Sequence, residues 1–368
     1  ATYRGYLQGI EEMKTLAISQ VIEQLVNVVL SLIFAFVLVG ISIEWGSAGG
    51  TVGTTIGAIV ALIFILIIYD RNRLEERAEE ENKAEKHISD KMILKKLVKY
   101  GVPIIMVAAL QNSSGMIDTI NVKGRLLAAG FNDNRATELY GILGCYNTLL
   151  YVPLSIVTAL SSAIFPRIIN AFTTKKKKEL KSHIAYSFRL TYLITIPAAV
   201  GLSMLSKEVY IMIYGSTEGY QLLMYGSVVL IFMSLSAIQN TILQGINKLY
   251  LVLSTAFLSI IIKFVINYFL VGIKDINILG AVFASFFAFL VPVIINHNRL
   301  RRIFKMRIPI VKMALVPLLA SCVMALSISL CKIPINRFMN IVQGGRAITS
   351  IVALMLIAIG GAVYFVAM

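Results

Sequence analysis

Charge is what this sequence has least of. Only 14% of its 368 residues are Asp, Glu, Lys or Arg, and 58% are hydrophobic. A soluble globular chain carries about 25% charged and about 45–50% apolar residues, so a soluble multi-domain protein is excluded. The mean hydropathy of +0.81 is that of a polytopic membrane protein. Cysteine is scarce as well. Cys145, Cys322 and Cys331 lie in apolar runs without CxxC spacing, which leaves neither a disulfide framework nor a zinc site. No GxxxxGK(S/T) run is present, so the chain holds no P-loop ATP engine. The formal net charge of +15 sits in loops, with no basic patch interleaved with aromatics, so no nucleic-acid partner is expected. No residue pattern calls for a cofactor or a metal, and nothing marks the chain as an enzyme.

What the chain does have is long apolar runs. A run needs roughly 20 residues to cross a bilayer as a helix. Ten qualify: 15–41, 51–69, 97–121, 139–165, 184–205, 220–243, 250–271, 278–296, 309–330 and 346–367. Barrel strands would be shorter and would alternate, so these are expected to be helices of an all-α polytopic membrane protein. The linkers are short, apart from a charged, helix-like connector at 70–96, read as a solvated or interfacial helix. Alternating the spans from residue 1 places 24 Lys and Arg on one side and 8 on the other, with Arg189 and Lys263 inside spans. The positive-inside rule makes the richer side cytoplasmic, and with ten spans the C-terminus lies there too. The runs Lys175–Lys178 and Arg299–Arg302 are then topology signals, with attraction to anionic lipid as a secondary role.

A string repeats. Leu7-Gln8-Gly9-Ile10 returns as Leu243-Gln244-Gly245-Ile246, an offset of 236 that pairs Ser19 with Thr255 and Asn27 with Lys263. Each copy precedes an outward-going span. Repeated bundles with a site between halves are how many secondary transporters are built. Four spans lie between residue 97 and the second copy, whereas six residues precede the first. The repeat therefore predicts a protein of fourteen spans, six plus six plus two, of which this chain carries ten.

Several stretches are similar to one family. Tyr3-Arg4-Gly5-Tyr6-Leu7-Gln8-Gly9 with Ala17-Ile18-Ser19-Gln20-Val21-Ile22-Glu23-Gln24 resembles the opening RGYFQG…SQVVEQ stretch of the stage V sporulation protein B-like family. Pro197-Ala198-Ala199-Val200-Gly201-Leu202 and Lys263-Phe264-Val265-Ile266-Asn267-Tyr268 resemble it further along. That family belongs to the MOP superfamily of multidrug, oligosaccharidyl-lipid and polysaccharide exporters. The resemblance implies a MOP/MATE-like bundle of two six-helix lobes around a central cavity, with two extra C-terminal helices. Residues 1–96 would then complete a first lobe, 97–305 form the second, and 306–368 supply the extra pair. It also implies a flippase that moves a polyprenyl-linked saccharide, such as the peptidoglycan precursor lipid II, across the bacterial cytoplasmic membrane. Its expected partners are that substrate and membrane lipids, with the protein monomeric and cell-wall synthesis proteins as possible associates. Relatives often carry a basic residue where Asn27 stands.

Polar groups inside spans are the candidate site. A charge at the bilayer centre costs at least roughly 2.5–3.5 kcal/mol on insertion scales, so each needs a partner or a watery cavity. Lys263 lies mid-helix, about 12 Å from the nearer end at 1.5 Å per residue, too far to snorkel fully. It is either a cavity cation for substrate phosphate or one half of an internal ion pair, and the two can coexist. Glu23 shares a face with Gln20 and Asn27, which lines a cavity or packs against neighbours. Gln111, Asn112 and Asp118 belong to a polar run read as cavity lining. Asp118 is alternatively an end-of-helix carboxylate balancing Arg125, and Asn147 with Tyr151 continues the lining. Gly49, Gly53 and Gly57 allow close helix packing, and prolines within spans kink them. The rival readings are a drug/cation antiporter of the same fold, which would want a cavity richer in carboxylates, a membrane glycosyltransferase, and a structural subunit.

Overall fold

The computed structural model describes residues 2–9, 12–71, 89–305, 309–342 and 345–368. Most of the predicted 70–96 connector lies outside them. Among the described residues every regular element is a helix. The chain forms two compact units, Ala1–Met92 and Ile93–Met368.

The first unit holds α1 (Thr2–Gly9), α2 (Met13–Val39) and α3 (Ile43–Arg71). Helices α2 and α3 form a hairpin along their full lengths. The predicted glycine stripe explains the close approach. A Cβ built on Gly49, Gly53 or Gly57 would stand 2.7 Å from the backbone oxygen of Phe34, Asn27 or Glu23 respectively. Only hydrogen fits there, so the two backbones touch. Tyr3 and Tyr6 pack edge-on against Tyr69, tying α1 to α3.

The second unit begins with α4 (Asp90–Ile117). It continues through a π-helical turn (Asp118–Val122) into α5 (Lys123–Ala128). Then come α6 (Asp133–Thr173), α7 (Lys177–Met204), α8 (Ser206–Tyr214), α9 (Tyr220–Gly226), α10 (Val229–Gly245), α11 (Leu249–Leu270) and α12 (Leu279–Phe304). The last pair is α13 (Ile310–Val342) and α14 (Arg346–Ala367). Among the described residues eight helices are long and apolar enough to cross a membrane, or nine if α9 and α10, bent by 56°, make one span. The tenth expected run, 97–121, is helical within α4, which begins at Asp90 among lysines, and it is not among these eight or nine helices. The run at 220–243 breaks at Gly226-Ser227-Val228, and helix α8 was not expected at all.

The repeat offset is present in the helices. Adding 236 to Met13 and Ile43, the first residues of α2 and α3, gives Leu249 and Leu279, the first residues of α11 and α12. The core positions agree too: Leu7 and Leu243 are both buried, as are Ser19 and Thr255.

The final pair belongs to the second unit. Lys332 on α13 pairs with Glu208 on α8 at 2.8 Å and donates to the Met204 carbonyl. Arg346 on α14 donates to the Met212 and Ile213 carbonyls at the C-terminal end of α8, where Gly215 ends the helix at φ +70°.

Two proline kinks are secured from outside their own helices. Pro197 leaves the Leu193 carbonyl without its helical donor, and Tyr364 of α14 supplies one at 3.0 Å. Pro292 does the same to Ala288, and Ser259 of α11 donates at 2.6 Å. Sidedness rests on the lysine and arginine count and has a direct check. A cysteine at Lys177 is expected to react with a membrane-impermeant maleimide only after permeabilisation, and labelling in intact cells would reverse the topology.

Candidate functional site

The site grows from one stripe on α11. Thr255, Ser259, Lys263 and Asn267 recur every four residues and so share a face. Each is engaged. Ser259 holds the kink in α12. Lys263 Nζ lies 2.7 Å from Asp118 Oδ2, with both side chains 7% exposed. Asn267 Nδ2 donates to the other oxygen, Asp118 Oδ1, at 3.0 Å.

The π-helical turn makes this possible. Its wider ring turns Asp118, Asn121 and Val122 inward together, and all three are buried. Asn121 Nδ2 donates to the Phe264 carbonyl of α11 at 2.9 Å. The carboxylate thus meets an ammonium and an amide, which is the condition under which a buried charge is tolerated. Asp118 does not balance Arg125. The Arg125 guanidinium instead lies 4.1 Å over the Tyr268 ring, a cation–π contact one turn beyond the ion pair.

A cavity of about 310 Å³ opens beside this pair, within the second unit. Its polar lining includes Tyr151, Thr158, Asn240, Gln244, Ser259 and Lys263, and among the described residues Lys263 is the one charged side chain that lines it. The repeat offset relates one wall of this cavity to the first hairpin. The positions equivalent to Gly49, Gly53 and Gly57 are Ser285, Phe289 and Val293. Phe289 lines the cavity together with Ser259 and Pro292. Side chains therefore stand at the α12 positions where glycines let α2 and α3 touch.

The expected site residues divide. Lys263 and Asp118 come together, and Lys263 alone of the two lines the cavity. Asn147 is half-buried and is not among the lining residues, although Tyr151 one turn on is. Gln111 and Asn112 lie on α4 with side chains outside the described residues, beside the lining residue Leu110. In the first unit Glu23 pairs with Arg4. Asn27 accepts hydrogen bonds from Ser31 at 2.9 Å and from Thr54 of α3 at 3.2 Å. Both are engaged within the first unit. Asn240, Gln244, Ser259 and Asn267 were missed. The four-residue period of α11 was a signal for the last two. Among the described residues no group of three or more His, Cys, Asp or Glu is placed to hold a metal ion.

A family model described as polysaccharide biosynthesis protein matches residues 1–172. The lipid II flippase MurJ of Bacillus subtilis (strain 168) is 28% identical over 286 residues, covering 76% of this chain and 52% of MurJ. An uncharacterized membrane protein of the same organism, YabM, is 28% identical over 281 residues, with the same coverage of each chain. This chain therefore spans about half the length of the curated relatives it matches. Among solved structures, MurJ in an inward closed conformation superposes with a TM-score of 0.63 at 18% identity, over 92% of this chain and 65% of that one. A MATE transporter in a bent conformation gives 0.62 at 15% identity, over 85% and 66%. The chain is a multi-pass helical membrane protein with a likeness to both flippases and drug exporters in its fold. The sequence matches lie with the polysaccharide biosynthesis family and with a lipid II flippase, so the chain is similar to the lipid II flippase branch of the MOP exporter superfamily.

Proposed function

We propose that this protein serves in a flippase that moves a polyprenyl-linked saccharide of the lipid II type across the cytoplasmic membrane. No covalent chemistry is required, so the protein is not an enzyme. Residues 1–96 contribute to a first lobe, 97–305 form a second lobe, and 306–368 add two spans beside it. The observation that carries this reading is the cavity in the second unit, whose one charged lining residue among the described residues is Lys263. An ammonium in a site of low dielectric is a strong partner for a phosphate oxygen. The surrounding hydroxyls and amides suit sugar hydroxyls. At about 310 Å³ the cavity takes a phosphate with an adjoining sugar rather than a whole headgroup.

A cationic drug fits less well. Its natural partner would be a carboxylate facing the cavity, and Asp118 is instead closed off by Lys263 and Asn267. Ala237 lines the cavity from α10, so Ala237→Phe fills it without touching a polar group. In cells depleted of their own lipid II flippase, flipping per folded protein is expected to fall at least about tenfold in this variant. Unchanged flipping would remove the cavity from the function.

A further inference from the structure

Two basic segments 120 residues apart in sequence meet at one end of the second unit. The turn from α6 into α7 carries Lys175–Lys178 and Lys181. The end of α12 carries Arg301, Arg302 and Lys305. The rings of Phe172 and Phe304 pack edge to face at 6.2 Å and hold the two segments together. Beneath them Ile168, Ala171, Leu180 and Leu300 share one buried apolar cluster.

All eight cations above that cluster are exposed. The two segments hold one carboxylate, Glu179, and it is paired with Lys176 at 3.1 Å. Arg299 is not part of the patch, because it is bonded to the Leu251 carbonyl and to Ser254. The backbone adds an independent sign. Lys175 and Lys305 both sit in the left-handed region, at φ +57° and +50°. Glycine or asparagine fills such positions at lower cost. Asparagine does so at the other two non-glycine positions of this kind, Asn247 and Asn277. At both ends of this patch a lysine stands instead, so charge is kept where the backbone favours another residue.

We infer that these two segments form one composite site for anionic phospholipid headgroups. The location argues for lipid. The patch lies where three helices of membrane-crossing length, α6, α7 and α12, come to an end. The helices end here seven or eight residues past their apolar runs, about 12 Å at 1.5 Å per residue, which long basic side chains can span to reach headgroups, on the side that the lysine and arginine count assigns to the cytoplasm. Lysine stems reach along apolar surface while their ammonium groups meet phosphate. Phe172, 38% exposed beside them, supplies the aromatic contact common at that depth. A set of topology signals would need the charges but not their convergence.

The test uses tryptophan fluorescence. Trp45→Phe removes the one tryptophan of the chain, and Phe172→Trp places a reporter in the patch. The protein is reconstituted in phosphatidylcholine vesicles containing brominated lipid. Brominated phosphatidylglycerol is expected to quench at a several-fold lower mole fraction than brominated phosphatidylcholine. Glutamine at Lys175–Lys178, or at Arg301, Arg302 and Lys305, is expected to bring the two lipids to the same mole fraction. Arginine at the same lysines is expected to keep the preference, which separates charge from folding. Equal quenching in the parent protein overturns the proposal. So does a preference that survives neutralising either segment, since the site would then not be composite. A preference abolished by millimolar inorganic phosphate marks a free-anion site and also overturns it.

Discussion

Lys263→Met is expected to deplete folded protein, and Asp118→Asn in the same chain is expected to restore it. The reason is the pair itself, 2.7 Å long and 7% exposed on each side. Removing one partner of a buried pair strands the other charge, at about 3–5 kcal/mol. That approaches the whole stability of many folded domains. With both groups neutral, Asn267 still has an amide to bond at position 118, and the packing survives. Protease resistance or detergent thermal melting of the two single variants and the double reads the effect. Single variants as stable as the parent would remove the ion pair from the fold. Transport then separates the two roles of Lys263. The double variant is expected to fold and yet not flip substrate, because the ammonium facing the cavity is gone. Lys263→Arg is expected to keep part of the activity. Parent-level flipping by the folded double variant would leave Lys263 with a structural role alone.

A second large effect is expected in the first unit. Gly53→Val and Gly57→Val should separate α2 from α3. Even a single Cβ at these positions meets backbone oxygen at 2.7 Å, and backbone has no rotamer with which to yield. Overpacking typically costs about 1–3 kcal/mol, and the two sites lie one turn apart on the same interface. Disulfide trapping between cysteines placed on facing turns of α2 and α3 is expected in the parent and lost in the double variant. The matching changes in the other hairpin should be mild, since Phe289 and Val293 already occupy those positions. Efficient trapping in the glycine variants would show that the close contact is incidental.

Much of this was legible in the sequence, and the gaps have physical reasons. Apolar length located eight of the ten runs on described helices long and apolar enough to span a membrane, and a ninth on the bent pair α9 and α10. It failed at helix ends, because a helix can run on through polar and charged residues that flank the apolar core on either side. Hence α6 extends over Asp133–Thr173, well beyond 139–165, and α4 starts at Asp90. Hydropathy also cannot register a bend such as that between α9 and α10. Lys263 was marked by its depth alone, and the need for a partner followed from electrostatics. Which partner did not follow. Asp118 lies 145 residues away, and no spacing rule joins two helices across such a gap. The π-helical turn that aims Asp118 at α11 has no sequence signature of its own. Asn27 shows the converse: the face it lies on was legible, but its engagement with Ser31 and Thr54 needed the neighbouring helix.

The glycine register leaves the duplicated hairpins with different elasticity. In α2 and α3, backbone rests on backbone, so any relative slide meets hard repulsion at once and the pair is a stiff strut. In α11 and α12, contact runs through side chains with rotamers of their own, beside a void and a kink held by one serine hydroxyl. That pair yields under loads the first would resist. The two hairpins that share the repeat offset thus differ in stiffness, and the more compliant one carries the buried charge.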